Sequence, residues 1–122
     1  MSWDATLEDP LMGDALEVES HSDGGTYAVG GTTEATLNVT YNYGGHFRKA
    51  WPESIDGSGA LVRMLDSRTG KETYPLLAKA VATLGTDRED DYWAPTEGNA
   101  GYALAIMAGW SAQYPDGVWR IS

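Results

Sequence analysis

The side chains best suited to chemistry lie where a polar strand face meets the basic and aromatic segment of the chain. Thr40 and Asn42 alternate in a strand-like stretch, so they are expected to point to the same side of a sheet. A following turn would bring Arg48 and Trp51 over that side. Arg supplies a planar set of donors and Trp a stacking surface, a combination suited to a small anionic or planar ligand or to a partner protein. The predicted binding surface comprises Thr40, Asn42, His46, Arg48, Lys49 and Trp51.

The alternative to this binding surface is an ordinary solvated sheet face with Trp51 packed on the core. A second candidate site lies at residues 98–102, where small residues open a helix. Small residues let another backbone approach closely and leave amides free at the helix start, which makes Asn99 and Tyr102 candidate ligand contacts. The alternative there is tight packing of the helix.

Catalytic and metal-binding motifs are sparse. The chain has no Cys, which excludes thiol catalysis and thiolate metal sites. His21 and Asp23 could form only half of a metal site, and residues 87–91 do not match a calcium-binding loop. We therefore expect no metal and no cofactor, and we favour a protein that is not an enzyme. A small hydrolase that uses carboxylates and His46 stays as an alternative.

The charge balance is strongly acidic. Lys and Arg number 8 against 18 Asp and Glu, which gives a formal charge of −10 and a pI near 4.3. Such a field repels phosphate backbones, so direct binding to nucleic acid is not expected. The first 47 residues contain no Lys or Arg. This asymmetry is typical of a solvated, poorly packed arm, and the alternative is an acidic decoy that mimics DNA for a DNA-binding protein of the host.

Periodicity of apolar residues predicts the elements that must position these side chains. Alternation predicts strands over 15–20, 33–43 and 118–121 and a short one over 27–29, while helical spacing predicts helices over 74–84 and from 99 or 100 to 114. Residues 46–51 are expected to form a helical turn, residues 61–65 a strand or a turn of helix, and residues 86–97 an acidic loop. The order predicts an α+β fold with a mostly antiparallel sheet of about four strands and two helices on one face. Residues 1–13 are expected to form a flexible acidic arm and residues 14–122 a single domain.

The location expected from the sequence is the cytoplasm. The acidic, polar start does not resemble a secretory signal, and the longest apolar run, over 100–112, is shorter than the roughly 20 residues that span a bilayer. We expect no contact with a membrane.

Several short motifs together resemble a family of small uncharacterised proteins of bacteriophages and prophages of actinobacteria. They are the Asn-Val-Thr-Tyr-Asn run over 38–42 followed by a Trp, the helix residues over 74–82, the Gly-x-Ala-x-Tyr motif over 98–102, and the Tyr-Pro-Asp motif over 114–116. The chain departs from the family at Asn99, where the family has Trp, and at Ala100, where it has Gly. The resemblance covers residues 33–122 and implies a small accessory viral protein in a bacterial cytoplasm. With the sparse catalytic inventory, it leads to the hypothesis of non-enzymatic binding to a host protein or a small host molecule.

Overall fold

The computed structural model describes residues 2–24, 31–54 and 59–122. In chain order the strands are β1 (Ser2–Glu8), β2 (Glu17–His21), β3 (Thr32–Glu34), β4 (Thr36–Thr40) and β5 (Val118–Ile121). The helices are α1 (Gly44–Ala50), α2 (Ala60–Leu65), α3 (Gly70–Leu84) and α4 (Glu97–Gln113). The α+β class is confirmed. The described residues form five strands in two sheets and four α-helices, more elements than the sequence predicts.

The main sheet has the order β4-β1-β5 and is antiparallel throughout. Ala5 lies opposite Leu37 on one side and Ile121 on the other, so odd-numbered residues of all three strands share one face. That face is buried and carries Trp3, Ala5, Leu7, Leu37, Val39, Trp119 and Ile121. The helices cover it, since Trp110 of α4 stacks on Trp119 and Phe47 of α1 packs on Trp3.

The position of β1 corrects the expectation of an arm over residues 1–13. Ser2–Glu8 is the central strand of the main sheet, and Trp3, Ala5 and Leu7 are at most 3% exposed. These three residues alternate with polar ones and so carry the period of a half-buried strand. The alternation is short and includes Asp4 and Glu8, which is why the sequence favours a solvated arm.

The continuous strand expected over 33–43 is wrong, because the chain changes partners at Ala35. The N–H of Ala35 donates to the Leu16 carbonyl, while its own carbonyl accepts from the N–H of Leu7. β3 therefore pairs with β2 in a second, two-stranded sheet, and β4 pairs with β1. After Thr40 the chain forms a 3-10 turn over Tyr41–Tyr43.

The helix predictions are largely confirmed. Residues 46–50 of the predicted turn belong to α1 and Trp51 directly follows it, the ambiguous segment over 61–65 is helical in α2, and α4 matches its predicted span within three residues at each end. α3 begins before its predicted start, because Thr69 and Glu72 form a capping box at its first turn. The last predicted strand is β5, and the strand predicted over 15–20 corresponds to β2. The short strand predicted over 27–29 lies outside the described residues.

Both outer strands of the main sheet are covered along their free edges. The N–H of Asn38 in β4 donates to the Gly24 carbonyl, and Trp119 of β5 exchanges backbone hydrogen bonds with Ser67 and Arg68. Covered edges do not offer a template for adding another strand. Within the described residues, no helix is both long and apolar enough to cross a bilayer.

Candidate functional site

The surface expected around Trp51 does not form. The Trp51 side chain is fully buried and its Nε1 donates to the Leu76 carbonyl at 3.0 Å. Thr40 is 5% exposed, and its hydroxyl accepts the N–H of Asn42 at 3.2 Å. Asn42 and Arg48 are exposed. The structure therefore favours the alternative in which Trp51 packs on the core, where its indole is not available for stacking on a ligand.

The polar face of the main sheet exists, but its side chains pair across the strands. Asn38 donates to the carboxylate of Asp4, and the hydroxyls of Thr6 and Thr36 lie 2.9 Å apart. Such cross-strand pairs stabilise a sheet. We therefore assign this face a structural role.

Asn99 anchors the acidic loop over 86–96 to the start of α4. Its side chain is buried, and its Oδ1 accepts the N–H of Glu89 at 2.7 Å. Its Nδ2 donates to the carbonyls of Asp91 at 2.8 Å and Ala94 at 2.9 Å. Both ends of the amide are therefore used to fix the loop backbone, and Asn99 is unavailable to a ligand.

The other residues predicted at this end of the molecule hold the same loop. His46 Nε2 lies 2.9 Å from the Pro95 carbonyl, and Lys49 forms an ion pair with Glu97. The Tyr102 hydroxyl accepts from Arg88 Nη1 at 2.9 Å, and the Arg88 guanidinium lies 4.7 Å from the centre of the Tyr102 ring. His46, Asn99 and Tyr102 thus hold the loop, and Lys49 pairs with the first residue of α4, so side chains that the sequence assigns to two separate surfaces meet at one end of the molecule.

Two tyrosines complete the attachment of the loop. The Tyr43 hydroxyl donates to the Tyr92 carbonyl, and the Tyr92 hydroxyl donates to the Asn38 carbonyl at 2.6 Å. Burial, with a smaller contribution from the charge of Asp91, raises the pKa of Tyr43 to about 12. Tyr43 therefore stays a neutral donor at physiological pH.

The glycines at the start of α4 also serve packing. A Cβ added at Gly98 would lie 1.9 Å from the carbonyl oxygen of Asp87, and one added at Gly101 would lie 1.7 Å from that of Gly85. The first turn is capped, since the N–H of Asn99 donates to the Thr96 hydroxyl at 3.0 Å. The alternative of tight packing is therefore the correct one for residues 98–102.

The most exposed large apolar side chains among the described residues lie elsewhere, in the loop over 9–14. Leu11 is 92% exposed and Met12 is 75% exposed. The loop is ordered by Asp9, whose Oδ1 accepts the N–H groups of Leu11 at 2.8 Å and Met12 at 3.0 Å. Gly13 closes it with φ +75°, and its N–H donates to the Asp9 carbonyl. Two apolar side chains are thus held in solvent by a defined turn.

A groove of about 390 Å³ adjoins Leu11. Leu16 of the chain before β2 and Tyr114 and Pro115 at the end of α4 provide its apolar surface. The Tyr114 hydroxyl donates to the Glu17 carbonyl, which fixes the ring. The complete lining is Asp9, Pro10, Leu11, Leu16, Gln113, Tyr114, Pro115, Asp116 and Gly117. We call the loop over 9–14 together with this lining the docking surface.

The sequence does not predict the docking surface, because its pattern favours a flexible arm over residues 1–13. A signal was nevertheless present. Leu11 and Met12 stand between Pro10 and Gly13, which are turn residues, and Asp9 before them is suited to accept N–H groups two and three positions further on.

A second cleft, of about 400 Å³, lies between β2 and α4 and includes His21, Ile106 and Trp110. His21 Nε2 lies 2.8 Å from the Glu34 carbonyl, and its Nδ1 accepts the N–H of Asp23 at 3.2 Å. The imidazole also packs on Trp110, with ring centres 5.0 Å apart. His21 therefore connects β2, β3 and α4, and within the described residues no group of three potential metal ligands forms.

Comparison with known proteins gives no family assignment. No protein-family model, no curated protein and no solved structure matches the chain.

Proposed function

We propose that this protein is a non-enzymatic binding module that recognises a partner protein through the docking surface. The observation that carries the proposal is the exposure of Leu11 and Met12 on a loop that Asp9 holds in one conformation. Large apolar side chains at solvent-exposed positions next to an apolar groove are typical of interaction sites. A module of this kind fits the small accessory role that the resemblance to phage proteins implies, acting in the cytoplasm of a bacterial host.

The geometry supports binding for two energetic reasons. Burial of a Leu or Met side chain contributes about 1.5–3 kcal/mol each, so two such side chains can provide the centre of an interface. The hydrogen bonds to Asp9 also order the loop before binding. A preordered loop loses less conformational entropy on association than a mobile one.

The experiment that tests this proposal is affinity capture from an actinobacterial lysate with matched variants. We expect wild-type protein to retain a partner that the double variant Leu11→Ser, Met12→Ser does not retain. Val62→Ser is the control, because Val62 is 40% exposed on α2 and distant in sequence from the loop. Retention of the same proteins by all three would contradict the proposal.

The thermal midpoint of the double variant is the control for folding. Leu11 and Met12 bury little surface, so the double variant should keep the thermal midpoint of the wild type. If the double variant then fails to retain the partner, the cause is the missing side-chain contacts and not unfolding of the protein.

An acidic decoy is the second candidate, and one observation favours it. Glu17 and Glu34 lie directly opposite each other in the second sheet, and both are exposed. Like charges at such positions destabilise a sheet, so this pair is easier to explain if the negative charge has a function. Neutralising both with Gln should then weaken capture of a DNA-binding protein. If the docking surface alone is responsible, the same change should leave capture intact.

A further inference from the structure

The charges around the docking surface have one sign. Its lining and the loop over 9–14 carry the carboxylates of Asp9, Asp14 and Asp116 and no Lys, Arg or His. Asp14 and Asp116 are exposed. The apolar centre at Leu11 and Tyr114 is therefore surrounded by negative charge.

Asp9 keeps its charge because two backbone N–H groups point at it. The N–H groups of Met12 and Leu11 lower the pKa of the Asp9 carboxyl below its ordinary value. It therefore remains ionised at any physiological pH.

Two cations, Arg120 and Lys71, border this region without lining the groove. Arg120 lies 3.4 Å from the Glu8 carboxylate and donates to the Ser67 hydroxyl at 3.1 Å. Lys71 donates its backbone N–H to the Pro115 carbonyl at 2.9 Å, but its exposed side chain is not part of the lining. The negative potential of the groove is consequently not neutralised by its own lining.

We infer that the partner presents an apolar side chain flanked by Lys or Arg, so that the apolar group enters the groove beside Leu11 and the cations meet Asp14 and Asp116. This inference rests on the proposed function. Charge complementarity around an apolar centre is the usual arrangement of a specific interface and accelerates association. A second copy of this chain is the poorer occupant, because it would bring the same carboxylates and a formal charge of −10 to the contact.

Three synthetic peptides test this inference by fluorescence anisotropy. One has a Leu and Ile core flanked by Lys, the second has the same core flanked by Glu, and the third has a Ser core flanked by Lys. We expect the first to bind at least about tenfold more tightly than either of the others, which corresponds to about 1.4 kcal/mol. Its affinity should fall as the salt concentration rises from about 0.05 M to about 0.5 M, because exposed charges are screened over that range.

Variants of the protein distinguish the contribution of charge to peptide affinity from that of apolar contact. Replacing Asp14 and Asp116 with Asn should weaken the Lys-flanked peptide by about twofold to fivefold for each carboxylate, the range of exposed ion pairs, and should reduce the salt dependence. Asp9 is left unchanged because it orders the loop. Asp4→Asn, on the polar face of the main sheet, is the control and should leave affinity unchanged. Leu11→Ser should abolish binding of the same peptide.

The outcomes distinguish the inference from the function on which it rests. Equal binding of Lys-flanked and Glu-flanked peptides, or an equal effect of Asp4→Asn, would overturn the inference. Capture from lysate that depends on Leu11, without any peptide binding, would also overturn it while the proposed function stands. If Leu11→Ser changes neither capture from lysate nor peptide binding, the proposed function itself is contradicted. A dimer that forms in solution and dissociates on Leu11→Ser would identify a second copy as the occupant and overturn the inference.

Discussion

The side-chain oxygen of Asn99 accepts the backbone N–H of Glu89 at 2.7 Å, so a residue in the first turn of α4 fixes the loop that directly precedes the helix. The amide nitrogen of the same side chain donates to carbonyls further along that loop. One buried amide therefore satisfies donors and acceptors of a segment that has no regular secondary structure. The same segment carries four exposed acidic residues, Asp87, Glu89, Asp90 and Asp91.

Asn99→Ala should therefore destabilise the protein, although the backbone groups that Asn99 binds belong to a surface loop. The change removes acceptor and donors together, and we expect the free energy of unfolding to fall by about 2 kcal/mol, since each buried polar group left without a partner costs about 1–3 kcal/mol and the loop can partly rehydrate. Urea denaturation measures the fall, and amide exchange at Glu89 should accelerate. Asn42→Ala is the control, because Asn42 is exposed, and should change stability by no more than about 0.5 kcal/mol.

Gly101 and Gly109 form a matched pair on one helix. Gly101→Ala would put a Cβ 1.7 Å from the Gly85 carbonyl oxygen, so the helix and the preceding chain must separate, and we expect a loss of about 2 kcal/mol or more. Gly109 has no atom within 4 Å of an added Cβ, and Gly109→Ala should stabilise the protein by about 0.5–1 kcal/mol through helix propensity. Thermal denaturation of the two variants should give shifts of opposite sign. Equal shifts would show that Gly101 is not in close contact.

Acid should destabilise the protein through the capping box of α3. The backbone N–H of Thr69, and then its hydroxyl, hold the pKa of Glu72 below its ordinary value of 4.5. A carboxyl whose pKa is lowered by folding contributes stability above that ordinary value, and the contribution is lost as the pH falls through the lower pKa of the folded state. The thermal midpoint of the wild type should therefore fall below about pH 4.5. Glu72→Gln keeps the cap geometry without the titrating group.

The expected result is a smaller acid-induced fall for Glu72→Gln than for the wild type. Glu53→Gln, at an exposed position, is the control and should follow the wild-type profile. Parallel profiles for all three proteins would show that Glu72 does not contribute to the pH dependence.

Periodicity in the sequence predicts the elements that have one buried face and a regular environment. For this reason the sequence predicts α3, α4 and β5, and the structure contains all three. The same rule cannot locate the change of partner at Ala35, because the alternation of Ala35, Leu37 and Val39 with polar residues shows only which face is buried. Ala35, Leu37 and Val39 are all buried, whether the chain pairs with one strand or with two in succession.

The candidate site was harder to predict than the fold, because its contacts join distant positions. His46 and Pro95 are separated by 49 residues, and no local pattern indicates that they meet. Residue type singled out His46, Asn99 and Tyr102 as polar groups with a role, but only the tertiary structure shows that this role is to hold the loop. For Leu11 and Met12, the local sequence predicts the turn that exposes them. It does not predict the groove beside them, because that groove also includes residues from the end of α4.

Ser111 links two helices and the main sheet through one buried hydroxyl. Its Oγ accepts Trp119 Nε1 at 2.9 Å and lies 3.2 Å from the Thr73 hydroxyl. Ser111→Ala would leave the indole N–H without its acceptor in a fully buried site, and we expect a loss of about 1–3 kcal/mol by urea denaturation. In a Trp119→Phe background no indole N–H remains, so the cost of Ser111→Ala should fall by about 1 kcal/mol or more. The same cost in both backgrounds would assign the effect of Ser111 to packing or to Thr73 and not to the hydrogen bond with Trp119.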